Sequence, residues 1–336
     1  MPEQAPTPER LRQIGFGFLG SKALLSAVEM GVFTALAQNP SSKTELTDRL
    51  GLHPDIAADF LDALVALNLL ERDDGVYRNA PDADRFLDQN KETYIGGHFE
   101  WANTRMYPLF GNLTETLRTG EPQTAYSEDE DVFDELYGND ELFERFVNGM
   151  AGMSAHVAEN LAESFEWDAY ETVCDVGASK GIVPVTVAEK NDHIEATAFD
   201  LPRLEPIATE FIANSGVADR VSFHAGDVFE EELPEHDVFV MGRLLHDFDL
   251  THKKELIQRA YDALPDGGAL LVYGTMIDNE RRENDGALLT NLYIQVETDG
   301  FDYTHEQCQT WLHEVGFSET EACDLPGRES VVIGWK

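Results

Sequence analysis

The spacing of apolar positions divides this chain into a helical first part and an alternating strand–helix second part. Between Leu11 and Leu36, the apolar residues Leu24, Leu25, Val28, Phe33 and Leu36 recur near helical spacing. This predicts one or two helices, with Gly31 ending the first. Ser41 and Ser42 are placed to cap a short helix over Lys43–Leu50, which Gly51 closes. Pro54 opens a second helix, expected over 55–68, with Ile56, Phe60, Leu64 and Leu67 as its apolar stripe. Two short β-prone runs, 69–72 and 76–78, flank Asp73-Asp74-Gly75 and predict a hairpin. Helix, turn, helix and hairpin in this order make a winged helix, expected to occupy residues 1–90. Residues 91–166 read as a helical connector with an exposed acidic loop over 127–134. Trp101, Met106, Phe110, Phe146 and Met150 in this stretch either pack between domains or wall a pocket for a flat apolar molecule.

From residue 167 the period changes. Short β-branched runs near 172–176, 194–199, 221–225, 237–241 and 269–273 alternate with helical segments, and two more strands follow near 319–323 and 330–335. The prediction is a doubly wound, Rossmann-like α/β sheet of seven strands, mostly parallel with an antiparallel C-terminal strand. The first strand runs into Gly177-Ala-Ser-Lys-Gly181, the second ends at Asp200-Leu201, the third at Gly226-Asp227, and the fourth leads into Arg243-Leu-Leu-His-Asp247. Candidate ligand residues therefore fall at the C-terminal ends of four strands, where open α/β sheets bind ligands. The glycines permit a tight turn and a close approach to backbone amides. Asp200 is placed to accept both hydroxyls of a ribose, and Asp227 to accept an adenine amine. Together they point to a nucleoside-bearing cofactor.

Charge narrows the function further. Sixty-four acidic residues against 24 basic ones give −40. A field of that sign repels phosphate backbones. The second helix of the winged motif carries Asp55, Asp59 and Asp62 where a DNA reader needs Arg or Lys. Nucleic-acid binding is therefore not expected, and the apolar faces of these helices are assigned to subunit contact. Three cysteines are too few for a disulfide framework. The polar first ten residues do not read as a signal peptide. No run reaches the roughly 18 apolar residues of a membrane span. The expectation is a soluble, cytoplasmic protein without membrane partners, in a salt-rich (halophilic) cytoplasm.

The motifs Asp175-Val-Gly-Ala-Ser-Lys-Gly181, Phe199-Asp-Leu-Pro202, Gly226-Asp227, Leu244-Leu-His-Asp-Phe248, Leu264-Pro-Asp-Gly-Gly268 and Gly300-Phe-Asp-Tyr-Thr304 resemble those of small-molecule O-methyltransferases of the plant phenolic and bacterial polyketide type. The resemblance runs from Ile14 to the C-terminus. It implies a homodimer, a methyltransferase sheet, and S-adenosylmethionine as cofactor. By resemblance, the cofactor-binding residues are Asp175, Gly177, Gly181, Asp200, Leu201, Gly226, Asp227, Val228 and Arg243. His246 is the catalytic base, with Asp302 beside it. Trp101, Met106, Phe110, Phe146, Met150 and Asn291 face the acceptor, a hydroxyl on an aromatic or polyketide-like molecule. No metal is expected. For Arg243, pairing with a carboxylate is the competing assignment, and Asp247 and Asp249 are read as capping the helix that follows. Two departures stand out. Ala178 and Ser179 replace glycines of the family's turn, and Gly274 stands where a strand-end Glu often helps hold the histidine. That second departure keeps open a diverged chemistry (decarboxylation, hydroxylation or a pericyclic reaction); a ligand-sensing regulator is the more distant alternative.

At about 1 M ionic strength the Debye length shrinks to about 3 Å, so repulsion among the 64 carboxylates is screened. The melting temperature is expected to rise between about 0.1 and about 2 M KCl; a fall over that range would remove the salt-adaptation reading.

Overall fold

The computed structural model describes residues 7–91, 93–123, 140–325 and 327–336; within 140–164 it leaves the side chains of residues 140–142, 144–146, 148, 149 and 153 undescribed. The chain forms two compact units, Met1–Pro108 and Leu109–Lys336. The expected connector is therefore divided. Its first part belongs with the N-terminal helices, to which Asn103 is tied through Glu29 at 2.5 Å and Lys22 at 2.5 Å.

In the first unit the apolar N-terminal run forms three helices, Glu9–Gly15, Gly17–Glu29 and Val32–Gln38, with Gly31 in the left-handed region at φ 68°. The helix Lys43–Leu50 begins with a capping box: the Ser42 hydroxyl accepts from Glu45 N, and Glu45 accepts from Ser42 N. The second helix runs Pro54–Ala66. Strands β1 (Ser41–Ser42), β2 (Leu70–Asp73) and β3 (Val76–Asn79) form a sheet in the order β1-β3-β2. The β2–β3 turn has Asp74 and Gly75 both at positive φ, the geometry that matches strand twist. The winged-helix arrangement is thus present, but its second helix is rotated from the expected stripe. Ala57, Leu61 and Leu64 are buried, whereas Ile56 is 63% exposed. Small Ala57 allows close packing on the inner face and leaves Ile56 outside. Asp62 is held at the hairpin, accepting from Tyr77 Oη at 2.7 Å and pairing with Arg72.

The second unit is built on seven strands: β4 (Thr172–Val176), β5 (Glu195–Asp200), β6 (Val221–Ala225), β7 (Val238–Gly242), β8 (Ala269–Gly274), β9 (Glu319–Asp324) and β10 (Ser330–Trp335). Their order is β6-β5-β4-β7-β8-β10-β9. Strands β4 to β8 pair in parallel, and β10 is antiparallel to both β8 and β9. Residues of β7 and β8 alternate between two cores. Val238, Val240, Ala269 and Leu271 pack on one face, with the helix Ile182–Lys190 supplying Val183 and Val187. Phe239, Met241, Leu270 and Val272 pack on the other, with Leu256 and Ile257 of Leu250–Ala263. Continuous apolar runs are what strands covered on both faces require. Strand order reverses between β4 and β7, which opens a crevice at their C-terminal ends. Among the described residues no single helix is long and apolar enough to cross a membrane.

Candidate active site

Four strand ends meet at the crevice. After β4 the chain turns through Gly177 at φ 77°, Ser179 at φ 53° and Gly181 at φ 89°, and then enters the helix Ile182–Lys190. A Cβ at Gly177 would stand 3.0 Å from Leu244 Cδ1, so strain and space both favour glycine there. Ser179 takes the left-handed conformation without being glycine, and its contribution comes from the backbone: its N–H donates to Asp200 Oδ2 at 2.7 Å. Leu201 N–H donates to Asp200 Oδ1 at 2.7 Å. The half-buried Asp200 carboxylate is thereby aimed across the turn with lone pairs left for further donors. Burial pushes its pKa up to about 6, against the lowering effect of those two backbone bonds. Beside it, a Cβ at Gly226 would meet Phe199 Cζ at 2.9 Å. Asp227 accepts from Phe229 N–H at 2.8 Å. An acidic group at the β5 end, a second at the β6 end and two left-handed glycines at the β4 turn fit a nucleoside cofactor.

The other half of the crevice carries a histidine between two carboxylates. His246 lies in the single turn Leu245–Asp247 after β7. Its Nδ1 is 3.2 Å from Asp302 Oδ1, and its Nε2 is 3.5 Å from Asp247 Oδ1. Burial opposes charge on the imidazole, but the Asp247 carboxylate, then the hydrogen bond to Asp302 and its charge, outweigh burial and raise the pKa. Burial also pushes Asp247 up to about 6, while the facing imidazole pulls it down. Asp302 reaches His246 because Gly300 lets its segment lie directly on the histidine loop: a Cβ at Gly300 would stand 2.3 Å from His246 O and 2.6 Å from Asp247 C.

The structure gives several of these residues partners within the protein. Asp249 does cap Leu250–Ala263, accepting from His252 N–H at 2.9 Å; Asp247 instead faces the imidazole. Arg243 realises the carboxylate-pairing alternative, with Nη2 at 2.5 Å from Glu329 Oε1 and Nη1 at 3.3 Å from Ser154 Oγ. Asn291 is buried, and its Oδ1 accepts from Asp302 N–H at 2.8 Å, which makes it a strut for the His246 partner. The missing strand-end Glu leaves little behind: the nearest atom to a Cβ at Gly274 is Arg243 Cγ at 3.9 Å. Asp175 is buried beneath the glycine turn, and burial raises its pKa well above the carboxylate range. Gly177, Gly181, Asp200, Leu201, Gly226, Asp227 and Val228 all lie at the strand ends of this unit. Of the aromatic and Met candidates, Trp101 and Met106 belong to the N-terminal unit, and Phe110 and Met150 to the second, half-buried in each case. The Phe146 side chain lies outside the described residues, as does the 127–134 loop. Among the described residues no group of three His, Cys, Asp or Glu is arranged to hold a metal.

Residues 110–318 match the O-methyltransferase domain, and residues 13–89 match the O-methyltransferase dimerisation domain. The chain belongs to the O-methyltransferase family. This O-methyltransferase is 40% identical to the tetracenomycin polyketide synthesis 8-O-methyl transferase TcmO of Streptomyces glaucescens, over 98% of this chain and 97% of that one. It is 34% identical to the N,N-dimethyltransferase OxyT of Streptomyces rimosus, over 93% and 91%. Its fold matches the crystal structure of human N-acetylserotonin methyltransferase in complex with SAM, with a TM-score of 0.91 at 24% identity, covering 100% of this chain and 99% of that one.

With Asp200 in its expected role as acceptor for ribose hydroxyls, cofactor affinity is predicted to be full above its raised pKa and to decline as pH falls through about 6. Calorimetric titration of S-adenosylmethionine is expected to show about tenfold weaker binding per pH unit below that point, and binding is expected to be lost in Asp200→Ala. Affinity that stays level down to about pH 5 would mean that Asp200 is not the acceptor.

Proposed function

We propose that this enzyme transfers the methyl group of S-adenosylmethionine to a hydroxyl of a flat aromatic, polyketide-like molecule, with His246 as general base. The observation that carries the role of His246 is its 3.2 Å contact with Asp302. A proton on Nδ1 directed at Asp302 leaves the Nε2 lone pair to accept. A phenolic hydroxyl has a pKa of about 10 and is a poor nucleophile at neutral pH, so removal of its proton is the step the protein must assist. Bound S-adenosylmethionine supplies the electrophilic methyl group. The glycine turn and Asp200 fix the donor's place, and His246 fixes where the acceptor oxygen must lie, which supplies positioning as well as base catalysis. The imidazolium formed after proton transfer rests between Asp302 and Asp247, which offset its charge.

His246→Gln is expected to retain cofactor binding and to lose about 10²–10⁴-fold in kcat towards a phenolic acceptor. In the wild type, kcat/KM should climb with pH and level off above the raised imidazole pKa, because only the neutral ring accepts a proton. Unchanged turnover in the variant removes His246 from the chemistry. Transfer of a labelled methyl group to any acceptor decides against the diverged chemistries.

The same enzyme is proposed to be a homodimer through its N-terminal unit. Leu11, Ile14, Phe16, Phe18 and Leu19 are between 50% and 68% exposed along the first two helices. Beside them, Phe18, Leu19, Met30, Leu52, Ile56 and Phe60 line an apolar groove of about 570 Å³. Contiguous exposed apolar surface of this kind marks a protein contact. Ile14→Glu combined with Phe18→Glu should sediment as a monomer at high KCl, where the wild type sediments as a dimer; a dimeric double variant would place the contact elsewhere.

A further inference from the structure

The helix Leu250–Ala263 buries Lys253, Leu256, Ile257 and Ala260, a stripe in which a lysine occupies an apolar position with none of its surface exposed. Among the described residues no carboxylate lies within ion-pair distance of its ammonium. Nζ instead donates to Phe248 O. It also sits 3.7 Å from the centroid of the Phe301 ring and 5.9 Å from that of Tyr303. Phe248 follows Asp247, and Phe301 and Tyr303 flank Asp302. The ammonium therefore touches residues of both segments that deliver carboxylates to His246, through the Phe248 carbonyl on one and the Phe301 and Tyr303 rings on the other, the same segments that Gly300 brings into contact. Asp302 Oδ2 is buried with no hydrogen-bond partner among the described residues.

We propose that Lys253 is a positioning residue of this site: a buried ammonium that braces the segments carrying Asp247 and Asp302 and, by its charge, keeps a second proton off the His246–Asp247 pair, leaving Nε2 free to act as the base. This rests on the reading of His246 as the base. Burial of an ammonium without a paired carboxylate is costly, and it depresses the lysine pKa to about 8 against the fields of Asp302, Asp247 and Asp249. In return the ammonium lowers the pKa of Asp247, which burial and the charges of Glu297 and Asp302 raise. Arg243 is the cation whose charge acts on His246 itself, whereas the charge of Lys253 acts on its partner Asp247. Tyr303, beside Lys253, and Cys308, which acts on Tyr303, are held neutral by burial. With Lys253 neutralised, the cluster gains a proton at higher pH. Asp247 Oδ1 and Nε2 are 3.5 Å apart, so that proton occupies the base whichever atom carries it.

The test is an NMR titration of the His246 ring, in full-length protein without substrate, its signals assigned by their loss in His246→Gln. In Lys253→Met and Lys253→Gln the titration of the pair should move up by about one pH unit, and Lys253→Arg should restore it. The acidic limb of kcat/KM should move with it, with rates recovering at higher pH. A titration unmoved in the neutral variants, or failure of both to melt cooperatively, overturns the proposal in favour of a purely structural anchor. The two readings separate cleanly: undiminished turnover in His246→Gln sinks the base and leaves the titration result standing, whereas an unmoved titration sinks only Lys253.

Discussion

The two-sided burial of β7 and β8 governs everything at the crevice. Val238 to Met241 and Ala269 to Val272 have no exposed surface, and alternate residues enter opposite cores. A strand gripped on both faces cannot slip by one residue without exchanging every contact. The point where β7 ends is thereby fixed, and with it the turn that holds His246. The same argument applies to β4 and β5, whose ends fix the glycine turn and Asp200. The site is a set of loop residues made rigid by the sheet beneath them.

Electrostatics then differentiates the two halves of the crevice. At the β4–β5 end, a carboxylate is partly desolvated and steadied by two backbone N–H groups. At the β7 end, an imidazole stands between two carboxylates, with Lys253 and Arg243 supplying positive charge nearby. Arg243 is itself neutralised by Glu329. Opposed charges are thus arranged at short range inside a molecule whose net charge is −40. These local fields persist at salt concentrations that screen the surface, because buried pairs are screened far less.

Much of this was legible in the sequence, for identifiable reasons. Short apolar runs of five or six residues located the strands, the first five of them each followed by Gly or Asp at the ligand-bearing ends, and the Ser41/Ser42 cap and the Asp73-Asp74-Gly75 turn located the winged helix. What failed to show was three-dimensional. The helix Pro54–Ala66 has apolar residues on more than one face, and periodicity alone picked Ile56 over Ala57. Asp247 looked like a capping residue because capping depends on backbone geometry that the sequence does not reveal, and Asp249 two positions later had the same chemistry. Glu329 is 86 positions from Arg243, and no local pattern links them. Lys253 did leave a trace: a lysine at a position that should be apolar in the Leu256–Ile257–Ala260 stripe.

The two glycines near the histidine differ in what substitution they permit. At Gly300 any side chain collides with the backbone of His246 and Asp247, so neutral drift is closed there. At Gly274 a Cβ has only Arg243 Cγ within 4 Å, and the φ is ordinary. A side chain can therefore be accepted at 274 without rebuilding the loop. One position records a constraint on the fold, and the other is a point from which specificity can diverge.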